Sequence, residues 1–172
     1  MLILGSKGFI GSHLAHLGKG ITADIRDKEK LRPHFIGEDI VINAAGETKK
    51  VHDKEACYTN IIGTRNVVEL CQEYGCKLIH LSSTQRFTPY GRSKQASQKI
   101  VEEADIKAVI LRLCPIVKLD DPLMKWGRRY PIEYLVKDIE NIVKNHDFSK
   151  DLITYPNEES PYIHKPRPLP PA

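Results

Sequence analysis

Tyr90 and Lys94 stand four residues apart in PYGRSK, and that spacing places a phenol and an ammonium on one face of a helix. The helix start is legible: Thr88 suits an N-cap and Pro89 the first helical position, so Tyr90 falls in the first turn. The ammonium and the helix N-terminus both favour negative charge on the phenol oxygen, which makes Tyr90 a usable base. A tyrosine with its ordinary pKa near 10 needs a shift of roughly three units, about 4 kcal/mol, to work near neutrality. Just upstream, HLSST supplies the hydroxyls of Ser83 and Thr84, able to hold a substrate oxygen against that phenol.

Elements able to position these groups begin at the first residue. MLILGSKGFIGSHLAHLG reads as a short apolar strand, a turn with Gly5, Gly8 and Gly11, and an apolar-periodic helix. That is the context of a dinucleotide fingerprint: Gly5 for the tight turn, Gly8 for approach to a pyrophosphate, Gly11 for close packing of helix on strand. The periodicity predicts strands at about 1–5, 20–24, 39–44, 77–82 and 107–113, and helices at about 9–17, 54–74 and 90–104. The alternation implies an α/β fold with a parallel sheet. DIVINAA has the continuous apolar run of a central strand buried on both faces, and Gly75 suits the end of the long helix before it. Further on, VKDIENIVKN at 136–145 has helical spacing, LITY at 152–155 suits one more strand, and HKPRPLPPA is a proline-rich extended tail.

Composition fits one compact domain: 172 residues, 41% hydrophobic and 28% charged. A net charge of +4 suits an anionic nucleotide ligand and is far from the basic stripe of a nucleic-acid binder, so no nucleic-acid partner is expected. No apolar run reaches transmembrane length, and glycines and a lysine interrupt the N-terminal apolar segment where a leader would be continuous. The expectation is a cytoplasmic protein with no membrane partner. Cys57, Cys71, Cys76 and Cys114 show no paired spacing and are expected to be reduced packing residues, with no metal site.

Six segments together resemble the extended short-chain dehydrogenase/reductases, the NAD-dependent epimerase/dehydratase family acting on nucleotide sugars. They are GSKGFIG at 5–11, VINAAG at 41–46, NIIGTRNVVELC at 60–71, KLIHLSST at 77–84, PYGRSK at 89–94 and AVILRLCP at 108–115. The resemblance implies a Rossmann-type doubly wound parallel sheet over residues 1–117, a reduced substrate-side region at 118–160 packed on the same domain, and a tail at 161–172. It also implies hydride transfer with a Ser-Tyr-Lys triad, Ser83 orienting the oxygen, Tyr90 moving the proton, and Lys94 depressing the Tyr90 pKa and bonding the nicotinamide ribose. Epimerases, dehydratases and ketone reductases share these residues.

The cofactor implied is NAD(P). Its phosphates would lie against Gly5, Lys7, Gly8, Phe9, Ile10 and Gly11, and its nicotinamide side against Asn43, Ala44, Ala45, Gly46, Leu81, Ser82, Pro115 and the Tyr90/Lys94 pair, with Asn60 organising the site. Asp24 follows the second strand, where a carboxylate accepts from ribose hydroxyls and favours NAD; Lys7 and Arg26 are candidate partners of a 2′-phosphate. ADIRD also resembles a segment that relatives place after a later strand, so one strand and helix can be missing here; either alignment puts Asp24 and Ile25 near the adenosine.

For the substrate, Thr48 and the LMKWGRRYP segment with Lys125, Trp126, Arg128 and Arg129 suit a nucleotide diphosphate. The resemblance implies a homodimer, in which a second subunit would supply missing substrate walls. Two departures favour a second reading, a cofactor-binding module without turnover. Only six residues separate Ser83 from Tyr90, and little chain remains after residue 117 for a substrate domain.

Overall fold

The structure is a computed structural model, and it describes residues 1–47, 54–121 and 129–154. The elements run β1 (Leu2–Leu4), α1 (Phe9–His13), a single 3-10 turn (Ala15–Leu17), β2 (Lys19–Ile21), α2 (Lys28–Phe35), β3 (Ile40–Asn43) and α3 (Lys54–Tyr74). There follow β4 (Lys77–Ser83), α4 (Pro89–Glu103), β5 (Ala108–Leu113), β6 (Ile116–Val117), β7 (Tyr130–Pro131), α5 (Ile132–Asn145) and β8 (Ser149–Thr154). Six strands form one parallel sheet in the order β2-β1-β3-β4-β5-β8, while β6 and β7 pair separately. From β1 the chain steps outward to β2 and then returns past β1 to β3. The sheet therefore has its switch point between β1 and β3, where α/β sheets open a crevice at their carboxyl ends.

Alternation along the strands assigns the two faces. Ile3, Ile42, Ile79 and Val109 pack with Leu14 and with Ile132, Leu135, Ile139 and Ile142 of α5. Leu4, Val41, Leu78 and Ile110 pack on the other side with Leu31 and Phe35 of α2 and with Val67, Leu70 and Cys71 of α3. Each fully buried aliphatic or aromatic side chain of this kind contributes about 1.5–3 kcal/mol of transfer free energy.

Two features differ from the sequence expectation. The first helix keeps only five α-helical residues before tightening into the 3-10 turn at Ala15–Leu17. An unexpected helix, α2, follows Asp27, whose carboxylate caps it by accepting from the Lys30 N–H at 3.2 Å; Pro33 inside it hid the helical pattern. Beyond residue 117 the helix and the extra strand expected from the sequence form as α5 and β8, with α5 covering one face and β8 extending the central sheet beside β5. The proline-rich tail lies outside the described residues.

Candidate active site

The turn after β1 needs its glycines for steric reasons. Gly5 has φ +75°, and its carbonyl accepts from Gly8 N at 2.9 Å. A Cβ on Gly11 would stand 2.2 Å from the Gly5 carbonyl oxygen, so no side chain fits where α1 starts over the turn. Gly8, Phe9 and Ile10 then form one wall of a cavity of about 330 Å³ at the carboxyl edge of the sheet.

Ala44, Ala45 and Gly46 after β3 form the next wall, Leu81, Ser82 and Ser83 at the end of β4 another, and Leu113 to Ile116 after β5 the far side. Tyr90 and Lys94 reach the same cavity from α4. That helix begins as its sequence expects: Pro89 sits in the first turn, and Thr88 Oγ1 accepts from Gly91 N at 3.0 Å. The short segment between Ser83 and Tyr90 is folded tightly, with Gln85 N donating to Ser83 Oγ at 3.2 Å. Because that contact occupies the Ser83 oxygen, its hydroxyl proton remains available to donate into the cavity.

Lys94 is the unusual group. Its side chain is 5% exposed, it lines the cavity, and its ammonium has no hydrogen-bond partner among the described residues. A buried donor of this kind is costly unless something else supplies an acceptor. Burial pushes its pKa down to about 8. Burial also raises Tyr90 above the ordinary tyrosine value. Here the sequence expectation is corrected: in this structure desolvation, not the neighbouring cation, sets the phenol, and Tyr90 is held in its protonated form.

Asn60 on α3 knits the site together. Its Oδ1 accepts from Glu47 N at 3.0 Å, and its Nδ2 donates to Ser93 Oγ at 2.9 Å, joining the turn after β3 to α4. Ser93 in turn donates to the Tyr90 carbonyl at 2.7 Å. Asn60 is 2% exposed and does not itself line the cavity.

Other sequence candidates lie elsewhere. Asn43 is fully buried beneath the turn. Thr84 closes the β4 end through its N–H on Leu113 O at 2.9 Å, outside the cavity lining. Gly5 and Gly11 shape the first turn from behind, and Lys7 is exposed beside it. Asp24 follows β2 and is bound by Arg26, whose Nε lies 3.0 Å from both carboxylate oxygens. That pair holds the Asp24 carboxyl below the usual range. Ile25 is buried and sits close over Gly63 of α3, so it anchors this loop on the core.

Arg129 lies half-buried just before β7 and outside the cavity lining. Thr48, Lys125, Trp126 and Arg128 fall outside the described residues. Gln85, Leu113, Cys114 and Ile116 line the cavity and were not singled out from sequence. Their only sequence signal was adjacency: Gln85 follows the serine-threonine group, and the other three flank Pro115 at the end of a buried strand. Of the cysteines expected to be packing residues, Cys71 and Cys76 are in the core and Cys57 is half-buried.

A nicotinamide dinucleotide fits these residues on two structural grounds. The glycine turn leaves backbone exposed at Gly8, and the unpartnered Lys94 ammonium is matched to hydroxyl acceptors such as those of a ribose.

The chain is similar to several proteins of known identity or structure. The chain is 37% identical over 90 residues to the inverting UDP-N-acetylglucosamine 4,6-dehydratase of Campylobacter jejuni, covering 48% of this chain and 27% of that relative. It is 27% identical over 104 residues to the human decarboxylating sterol-4-alpha-carboxylate 3-dehydrogenase, covering 48% of this chain and 28% of the relative. The matched part thus spans little more than a quarter of either relative's length. Among solved structures, the Bordetella bronchiseptica enzyme WbmG in complex with NAD and UDP superposes with a TM-score of 0.73 at 18% identity, covering 89% of this chain and 71% of that one. A dTDP-4-dehydrorhamnose reductase from Bacillus anthracis in complex with NADP gives 0.75 at 20% identity, covering 89% and 72%. These two establish the fold. The model of the NAD dependent epimerase/dehydratase family matches residues 1–117, and the chain belongs to that family.

Proposed function

We propose that this chain binds NAD(P) across the carboxyl edge of its sheet and transfers hydride to or from a sugar carbon of a nucleotide sugar, using Ser83, Tyr90 and Lys94. The observation that carries the reading is the buried Lys94 ammonium, without a hydrogen-bond partner among the described residues, in the same cavity as Tyr90 and Ser83. A buried ammonium is costly without acceptors, and a ribose would supply them.

In this reading Lys94 donates to the ribose hydroxyls beside the nicotinamide and holds that end of the cofactor in place. When bound, the cofactor supplies the two-electron redox chemistry. Ser83 donates its free hydroxyl proton to the substrate oxygen. In the reducing direction Tyr90 gives its proton to the developing alkoxide as the carbonyl carbon gains hydride. In the oxidising direction it takes the proton from the hydroxyl as hydride leaves the same carbon. Burial keeps the phenol protonated, so the group is ready as an acid; acting as a base requires positive charge nearby, from Lys94 and from the oxidised ring. Phe9, Ile10, Leu113 and Ile116 give the cavity apolar walls beside that exchange.

A nucleotide sugar is the proposed substrate because the Campylobacter relative is named for UDP-N-acetylglucosamine and the Bordetella neighbour carries UDP. A second subunit would complete the substrate wall, in a homodimer. The second reading, a cofactor-binding module without turnover, is favoured by the short Ser83–Tyr90 connection.

Purified protein is to be assayed with NAD and NADP, oxidised and reduced, against a panel of UDP- and dTDP-sugars, with Tyr90→Phe beside it. Turnover lost in Tyr90→Phe supports the enzyme. Cofactor binding without turnover on any sugar supports the module. The absence of binding by either cofactor defeats both.

A further inference from the structure

The apolar face that β3 and β4 turn toward α3 and α4 becomes polar as the strands approach the cavity. Val41 gives way to Asn43, and Leu78 to His80 and Ser82. Asn43 and His80 are Cα partners in the parallel register, and both are fully buried. A histidine in that position is isolated from solvent and touches no substrate, yet it is surrounded by the parts that build the site.

The hydrogen bonds around it run in one direction. Ala45 N donates to Asn43 Oδ1 at 3.3 Å, which leaves the Asn43 amide NH2 facing His80 Nδ1 at 3.4 Å. With Nδ1 accepting, the ring proton belongs on Nε2, 3.3 Å from Ser97 Oγ, and Ser97 donates to the Lys94 carbonyl at 2.9 Å. The series begins in the turn that walls the cavity on one side and ends on the backbone of the residue that walls it on the other. Every member is fully buried except the Ala45 and Lys94 ends, so a broken link leaves polar groups that water cannot reach.

We propose that His80 is a positioning residue: its two ring nitrogens lock the Ala44–Gly46 turn to the helix carrying Tyr90 and Lys94, and so set the width of the cofactor cleft. The idea rests on the functional reading above for what the cleft holds, though not for the hydrogen bonds themselves. The lock requires a neutral ring, because protonated Nδ1 would face the Asn43 amide hydrogens. Burial and, after it, the Lys94 charge both disfavour the imidazolium. Asn43 on β3, Ile110 across on β5 and Ser97 on α4 carry no charge, so Lys94 is the group whose charge bears on it.

Two measurements on the full chain test this. Nitrogen-15 NMR of the histidine rings should show His80 as the neutral Nε2–H tautomer from about pH 5.5 to 8.5, with no titration near the ordinary 6.5. A His80 that titrates in that range, or carries its proton on Nδ1, overturns the proposal. Calorimetry with NADH should show affinity reduced about tenfold or more in His80→Leu, whose volume is retained, and largely restored in His80→Gln, whose amide offers an acceptor and a donor. Circular dichroism and thermal unfolding accompany each variant. A folded His80→Leu that binds NADH as tightly as the wild type overturns the proposal. Should that variant fail to fold, Ser97→Ala cuts the same series one link further on and is expected to weaken NADH by about threefold to tenfold; unchanged affinity there is equally fatal. If the wild type binds neither NADH nor NADPH, the functional reading falls, and the tautomer measurement still decides the role of His80.

Discussion

The Lys94 ammonium lies 3.8 Å from the point where a Cβ on Gly46 would sit, so α4 and the turn after β3 approach each other to van der Waals distance at Gly46. The same Cβ would be 3.1 Å from Asn60 Oδ1, the acceptor that holds the Glu47 N–H. Gly46→Ala is therefore expected to weaken NADH binding by about threefold to tenfold while the thermal midpoint moves little. Calorimetry paired with thermal unfolding checks it, and unchanged affinity would show that the cofactor does not use this close approach.

Lys94 carries an opposition between stability and function. Its pKa is depressed to about 8 by burial, so the unfolded chain binds the proton more tightly than the folded one. The stability it costs is greatest below pH 8 and is recovered as pH rises from about 8 toward the ordinary value near 10.5, by about 3 kcal/mol in all. Lys94→Met is expected to be more stable than the wild type at pH 7, by about 1–3 kcal/mol, and to lose cofactor-dependent activity. Urea titrations at pH 7 and pH 10 read both parts: the gap between variant and wild type should narrow at the higher pH.

Tyr90→Phe removes a buried hydroxyl that has no hydrogen-bond partner among the described residues. Turnover should fall by about 10²–10⁴-fold, the range of a positioned acid or base, while NADH affinity stays within about threefold. The protein should be no less stable. A Phe variant that retains most of its rate would remove the phenol from the mechanism.

Gly91 sits under the short connection between Ser83 and Tyr90. A Cβ there would stand 2.5 Å from the Gln85 carbonyl oxygen, a backbone atom that must move if the alanine is to fit. Because Gln85 N also holds Ser83 Oγ, Gly91→Ala should lower kcat by about tenfold or more with less change in cofactor affinity. Equal losses in both would instead indicate general loosening of α4.

Arg26 occupies both oxygens of Asp24, so the loop after β2 presents an ion pair rather than a free carboxylate. Arg26→Ala should release Asp24 for ribose hydroxyls and remove a partner of a 2′-phosphate, shifting the NAD to NADP affinity ratio toward NAD by about tenfold. An unchanged ratio would place cofactor choice elsewhere, with Lys7 the next group to alter.

Short-range rules written in the order of residues settled much of this molecule. Gly5, Gly8 and Gly11 between an apolar strand and a helix, Thr88 and Pro89 opening α4, and the i, i+4 spacing of Tyr90 and Lys94 are local, and the structure reproduces each. Helix α2 was equally local in its Asp27 cap, but Pro33 masked the pattern. What lay beyond reach depended on depth. The fate of the Tyr90 phenol and the Lys94 ammonium is set by how much water the sheet and α3 exclude, a quantity with no signature in spacing, and it reversed the expected direction for Tyr90. Asn43, His80 and Ser97 belong to three separate segments, and only the β3–β4 register and the packing of α4 bring them into one line. Sequence alone determined which side chains could do chemistry; tertiary structure decided which are dry, which are paired, and which ammonium has no partner among the described residues, because desolvation and hydrogen-bond closure arise only when distant segments meet.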